Sequence, residues 1–138
     1  MMGAKQYLQQ ARWLDNTVNA KLEQIERLRS LVEKITVEYT GDVKVTASHE
    51  NDQLALVVAK IMELEKDINT DIDKLVDLKA EINSTLALMT NDAYRLILTM
   101  RYINCLPWWQ ISYDLQSDMR WVYRMHKKAL KEFEKVLI

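Results

Sequence analysis

Five cations crowd one short stretch of this chain. Between Met119 and Lys131 stand Arg120, Arg124, Lys127, Lys128 and Lys131, with no acid among them. Tyr123 lies between the two arginines. A guanidinium is a planar fork of donors that can grip guanine O6 and N7 together, or a phosphate. An ammonium is a point charge, which suits the sugar-phosphate backbone. The chemistry these residues offer is recognition of a polyanion, and the candidate set is Arg120, Tyr123, Arg124, Lys127, Lys128 and Lys131.

Other chemistry finds little to stand on. His49 and His126 are the two histidines, they lie in different segments, and Cys105 is the one cysteine. That is no ligand cluster at zinc spacing. Asp67 and Asp71 read as a solvated helix face rather than a cation site. There is no Gly-rich phosphate loop, nucleophile elbow or His-paired Cys. The expectation is a protein that is not an enzyme, with no cofactor and no metal.

Charge is divided along the chain. Residues 1–89 hold 11 Lys/Arg against 15 Asp/Glu, while residues 90–138 hold 8 against 5. A basic tail on an acidic body marks a local anion-binding face. A lone cysteine fits a reducing cytoplasm. No apolar run approaches the roughly 20 residues of a membrane span. Lys5 and Arg12 are followed by no apolar stretch, so no signal peptide is expected.

The elements that must carry this face are helices. Two glycines and one proline in 138 residues leave too few turn formers for a β fold. Ala11, Val18, Ile25, Val32 and Tyr39 fall seven apart, flanked by Leu8 and Leu22 on one side and Leu14, Leu28 and Ile35 on the other. Leu54, Ile61, Ile68, Leu75, Ile82 and Met89 repeat the heptad more cleanly, with Val57, Leu64, Ile72, Leu78 and Leu86 alongside. Such spacing belongs to helices packed along their lengths. The stretch Thr40–Ser48 interrupts it and reads as a loop, with Ser48 or Asn51 as the following cap. The prediction is an antiparallel coiled-coil-like hairpin over residues 1–89, self-associating through residues 5–89.

Residues 90–138 read as a second domain of three shorter helices. Asn91 or Asp92 caps the first, from about Asp92 to Ile103. Pro107 precedes Trp108–Leu115, and Asp118 caps the last helix, from about Met119 to Val136. In that helix Val122, Met125, Ala129 and Phe133 share one face, with Ile111 and Leu115 to pack against Val122 and Met125, and the cations take the other. Trp108, Trp109 and Trp121 are expected to pack among the helices. A turn of about three residues before such a helix is the pattern of a helix-turn-helix.

At Tyr94-Arg95-Leu96, Arg101-Tyr102-Ile103, Trp108-Trp109-Gln110-Ile111 and Arg120 through His126 the chain resembles the fourth region of bacterial sigma factors. It resembles more closely the phage and prophage transcriptional activators of the ArpU and RinA type, whose tails are sigma region 4-like. The coiled-coil stretch Val57–Asn69 resembles such proteins as well. The resemblance spans most of residues 50–135. It implies a recognition helix, here Met119–Val136, in the major groove of promoter DNA, and a role in switching on phage genes. Ser112 stands where such proteins often carry alanine, and the turn Gln116-Ser117-Asp118 has no glycine.

The whole reads as an all-α, cytoplasmic, phage-type transcriptional regulator. It would be dimeric through its coiled coil and bind double-stranded DNA, with RNA polymerase a candidate second partner. Two rivals stand beside it. One is a protein-interaction module whose basic tail meets a protein. The other is a phage packaging component of the small-terminase kind.

Overall fold

The computed structural model describes residues 2–41 and 47–137, and side chains over 2–37 and 51–137. It is all-helical, with no strand among the described residues. Helices α1 (Ala4–Gly41) and α2 (Ala47–Leu86) are long, and α3 (Asp92–Leu98), α4 (Trp108–Asp114) and α5 (Met119–Val136) are shorter. None is long and apolar enough to cross a membrane.

The expected loop over 40–48 is narrower at both ends, because α1 persists to Gly41 and α2 begins at Ala47. Asn51 is therefore inside α2 and not its cap. Residues 42–46 and the side chains of Tyr39, Ser48 and His49 lie outside the described residues.

Packing divides the chain into two compact units, Asn16–Asp73 and Met1–Asp15 with Lys74–Ile138. This division differs from a boundary at 89/90, because the apolar side chains of residues 4–14 and 75–86 join the core of the C-terminal helices.

In the unit Asn16–Asp73, α1 and α2 run antiparallel. Val18 and Ile25 are buried with Leu64 and Ile68, and Leu28 and Ile61 pack beside them. Lys21 Nζ meets Asp71 Oδ2 at 2.6 Å, and Arg29 meets Glu65 at 3.0 Å. As the α1 number rises the α2 number falls, which fixes the direction. The heptad seam is thus filled within one chain. Each such Leu or Ile contributes roughly 1.5–3 kcal/mol on burial.

In the other unit, Ala4, Leu8 and Ala11 share a core with Leu75, Ile82, Leu86, Met89, Leu98, Tyr102, Ala129 and Phe133. Tyr7 stacks on Phe133 with ring centroids 6.2 Å apart. A second cluster joins Met100, Ile111 and Val122, with Leu106, Trp108, Leu115 and Trp121 packed against it. Ile111 and Leu115 do face Val122, as their spacing requires.

Three short helices need their ends satisfied, since each terminus leaves orphan backbone groups. Asn91 Oδ1 accepts from Tyr94 N–H at 3.1 Å and starts α3. The expected α-helix to Ile103 is different in kind. Its last turn, Thr99–Ile103, is π-helical, with Asn104 N–H donating to Thr99 O at 2.9 Å. Thr99 Oγ1 also draws on Arg95 O at 2.8 Å, a competing bond of the sort that loosens an α ladder. Cys105 then takes the left-handed conformation at φ 55°, and Leu106 N–H closes the end on Met100 O.

Candidate nucleic-acid interface

The approach to α5 begins at the end of α4. Gln116 N–H donates to Tyr113 O at 3.1 Å and Ser117 N–H to Ser112 O at 3.1 Å. That pair of bonds is a Schellman motif, which places a left-handed residue at the position after the cap. Gln116 occupies it at φ 50°, where glycine is usual. Ser112 Oγ donates to Ser117 O, and Ser117 Oγ to Leu115 O at 3.1 Å. The hydroxyl of Ser112 thus ties down a turn that has no glycine. Asp118 Oδ1 then accepts from Trp121 N–H at 2.8 Å and starts α5.

Once α5 is anchored, its two faces separate cleanly. Val122, His126, Ala129 and Phe133 are buried, at spacings of four, three and four. Met125, expected in that row, is only half-buried, and His126 takes its place. Arg120, Tyr123, Arg124, Lys127, Lys128 and Lys131 are all exposed. No ion pair among the described residues engages those five cations. Their charge is therefore available to a polyanion.

Behind that face lies a polar and aromatic group that the sequence reading did not assemble. Tyr102 Oη and His126 Nε2 are 2.7 Å apart in the core. Burial first, then the Lys5 and Arg101 charges, push the His126 ring down to about 4. Burial pushes the Tyr102 phenol up to about 12, against the pull of Arg101 and Arg12. Both groups stay neutral near pH 7, and one proton, on Tyr102 Oη or on Nε2 according to the ring tautomer, joins them. His126 is a core residue and is not part of the exposed basic face.

Trp108 edges onto His126 at 4.6 Å and onto Tyr123 at 5.3 Å, while Arg101 stacks over its ring at 4.3 Å. The Arg101 Nη1 group donates to Leu106 O at 3.0 Å, and its Nε is buried without a partner. Arg12 of α1 donates from Nη1 to Arg101 O at 3.1 Å and to Leu106 O at 3.3 Å. Burial, and then the neighbouring Arg12 charge, lower the Arg101 pKa.

The tryptophans behave unequally. Trp108 and Trp121 are half-buried, but Trp109 is 65% exposed, with Tyr113 one turn on at 76%. Trp109 therefore does not belong to the helix packing expected of it. Among the described residues no group of three His, Cys, Asp or Glu could hold a metal ion.

A family model described as "Protein of unknown function (DUF1492)" matches residues 34–134, and the chain belongs to this family. No curated protein and no solved structure matches the chain.

Proposed function

We propose that this member of the DUF1492 family is a sequence-specific, non-enzymatic DNA-binding regulator of the phage type, with α4 and α5 as a sigma region 4-like helix-turn-helix and α5 as its recognition helix. One observation carries the reading. Five unpaired cations and Tyr123 share the exposed face of an 18-residue helix whose opposite face is locked into a core. Duplex DNA presents a charge every ~1.7 Å along its axis and a major groove wide enough for one helix. Arg120 and Arg124 stand one turn apart near the start of α5, where recognition helices reach base edges. Lys127, Lys128 and Lys131 follow and suit phosphates. Self-association of the chain and contact with RNA polymerase belong to the same proposal.

The exposed pair Trp109 and Tyr113 supports the rival reading, in which this unit docks on a protein. Fluorescence anisotropy on cognate and random duplexes across a salt series separates the two. Arg124→Ala should cost about 1–3 kcal/mol on the cognate site and relax preference at one base pair. Lys128→Ala should weaken all sequences alike and make the salt slope shallower by about one. Absence of duplex binding by the wild-type protein at low salt overturns the DNA reading in favour of a protein partner.

A further inference from the structure

We propose that Arg12, far from α5 in sequence, is a positioning residue for the DNA-facing surface, acting through the Arg101–Leu106 segment and Trp108 on Tyr123. This inference rests on the DNA-binding reading of α5.

An orphan carbonyl stands at the end of the π-helical turn. The π-helical turn ends with Asn104 N–H on Thr99 O and Leu106 N–H on Met100 O. Pro107 has no N–H to give. Arg101 O is left at a helix C-terminus, where a cationic side chain is the natural cap. Arg12 supplies it at 3.1 Å, and the same nitrogen reaches Leu106 O at 3.3 Å. Leu106 O accepts from Arg101 as well, at 3.0 Å. Two guanidinium groups thus converge on one carbonyl despite their mutual repulsion. What the convergence secures is geometry, since it fixes the Arg101 plane over Trp108 at 4.3 Å. Trp108 in turn holds its edge 5.3 Å from Tyr123, a residue of the exposed α5 face, and 4.6 Å from His126 on the buried one. The relay ends on both sides of the same helix. Arg12 itself is half-buried and committed to carbonyls, so it is placed to orient and not to touch phosphate.

The test uses the full chain with Arg12→Gln and Arg12→Lys, at a temperature where circular dichroism shows each fully helical. Arg12→Gln should weaken binding to the cognate duplex about tenfold, the scale on which residues that touch no ligand modulate affinity. Its salt slope should stay that of the wild type, because no phosphate contact is lost. The indole N–H resonance of Trp108 should shift. Arg12→Lys keeps the charge but not the fork, and should fall between. A merely structural role would lower the melting temperature and leave the affinity of the folded protein alone. Wild-type affinity in folded Arg12→Gln, or in Arg12→Lys should Arg12→Gln fail to fold, overturns the proposal. So does a salt slope shallower by one, which would make Arg12 a phosphate contact. An unmoved Trp108 resonance would break the relay whatever the DNA result. Loss of duplex binding by the wild type itself is a different failure, that of the DNA reading on which the proposal stands.

Discussion

Lowering the pH from 7.5 to 5 should cost the C-terminal unit about 2 kcal/mol through His126 alone. The ring is 8% exposed, bonded to Tyr102 Oη at 2.7 Å, and titrates at about 4 in the fold against 6.5 for an ordinary histidine. Between those values the unfolded chain binds the proton and the folded one does not. Stability therefore rises with pH across the window and falls as pH drops below 6.5. At pH 7.5 the two states are almost equally unprotonated. At pH 5 the unfolded ring is nearly fully charged and the folded ring about one-tenth so, which by linkage amounts to about 2 kcal/mol. All four tryptophans, Trp13, Trp108, Trp109 and Trp121, lie in the unit that holds His126, so their emission during urea unfolding reads this unit. His126→Gln is the control: its loss between the two pH values should be smaller than wild type by about 2 kcal/mol. Tyr102→Phe separates the causes. It leaves Nε2 buried without its hydrogen-bond partner, at a cost of about 1–3 kcal/mol at pH 7.5. Its pH slope should persist, because burial is the larger cause of the depressed ring. Parallel curves for wild type and His126→Gln would refute the reasoning, as would an NMR titration of the ring near 6.5.

Two further outcomes follow from the fold. Gln116→Gly should raise stability by about 1 kcal/mol in thermal unfolding, since φ 50° costs any residue with a Cβ, while Gln116→Ala should give no such gain. Self-association should depend on Val58, Met62 and Ile72 of α2, which are 41%, 65% and 39% exposed, so Ile72→Asp should move sedimentation to monomer with helicity kept. Ile68→Asp should instead open the hairpin, and an unchanged oligomer in the folded Ile72 variant would remove this face from the interface.

The long helices were legible because their signal is local. A seven-residue apolar repeat marks a buried stripe wherever it falls, and Ile68, Leu75, Ile82 and Met89 are indeed buried. Periodicity says that a stripe is covered and is silent on what covers it. The same repeat fits a partner chain or the other arm of a hairpin, and in this fold Val18 and Ile25 cover Leu64 and Ile68. The caps at Asn91 and Asp118 were legible for the same reason, since each reaches three residues ahead. The π-helical turn was not, because it depends on Thr99 competing for Arg95 O and on a left-handed Cys105 that no residue type announces.

The proposed interface divides along the same line. Its outer half could be read off one helix, because exposure of Arg120, Arg124, Lys127, Lys128 and Lys131 needs only the 3.6-residue period and a buried opposite face. Its inner half is tertiary. Arg12, Arg101, Tyr102, Trp108 and His126 come from four helical segments, and no spacing joins them. One clue was available at His126, which completes the row Val122, His126, Ala129, Phe133 better than Met125 does. A histidine in that row must shed its charge and find a hydrogen-bond partner, and a search for tyrosines on the neighbouring helices would have reached Tyr102. The part of the site that is hardest to read is also the part that reaches back to residues 4–14. A fragment cut at 89/90 keeps every cation of α5 yet loses Leu8, Ala11, Ile82 and Leu86 from its core and Arg12 from Leu106 O. Such a fragment should have the charge to meet DNA and lack the packing that aims it.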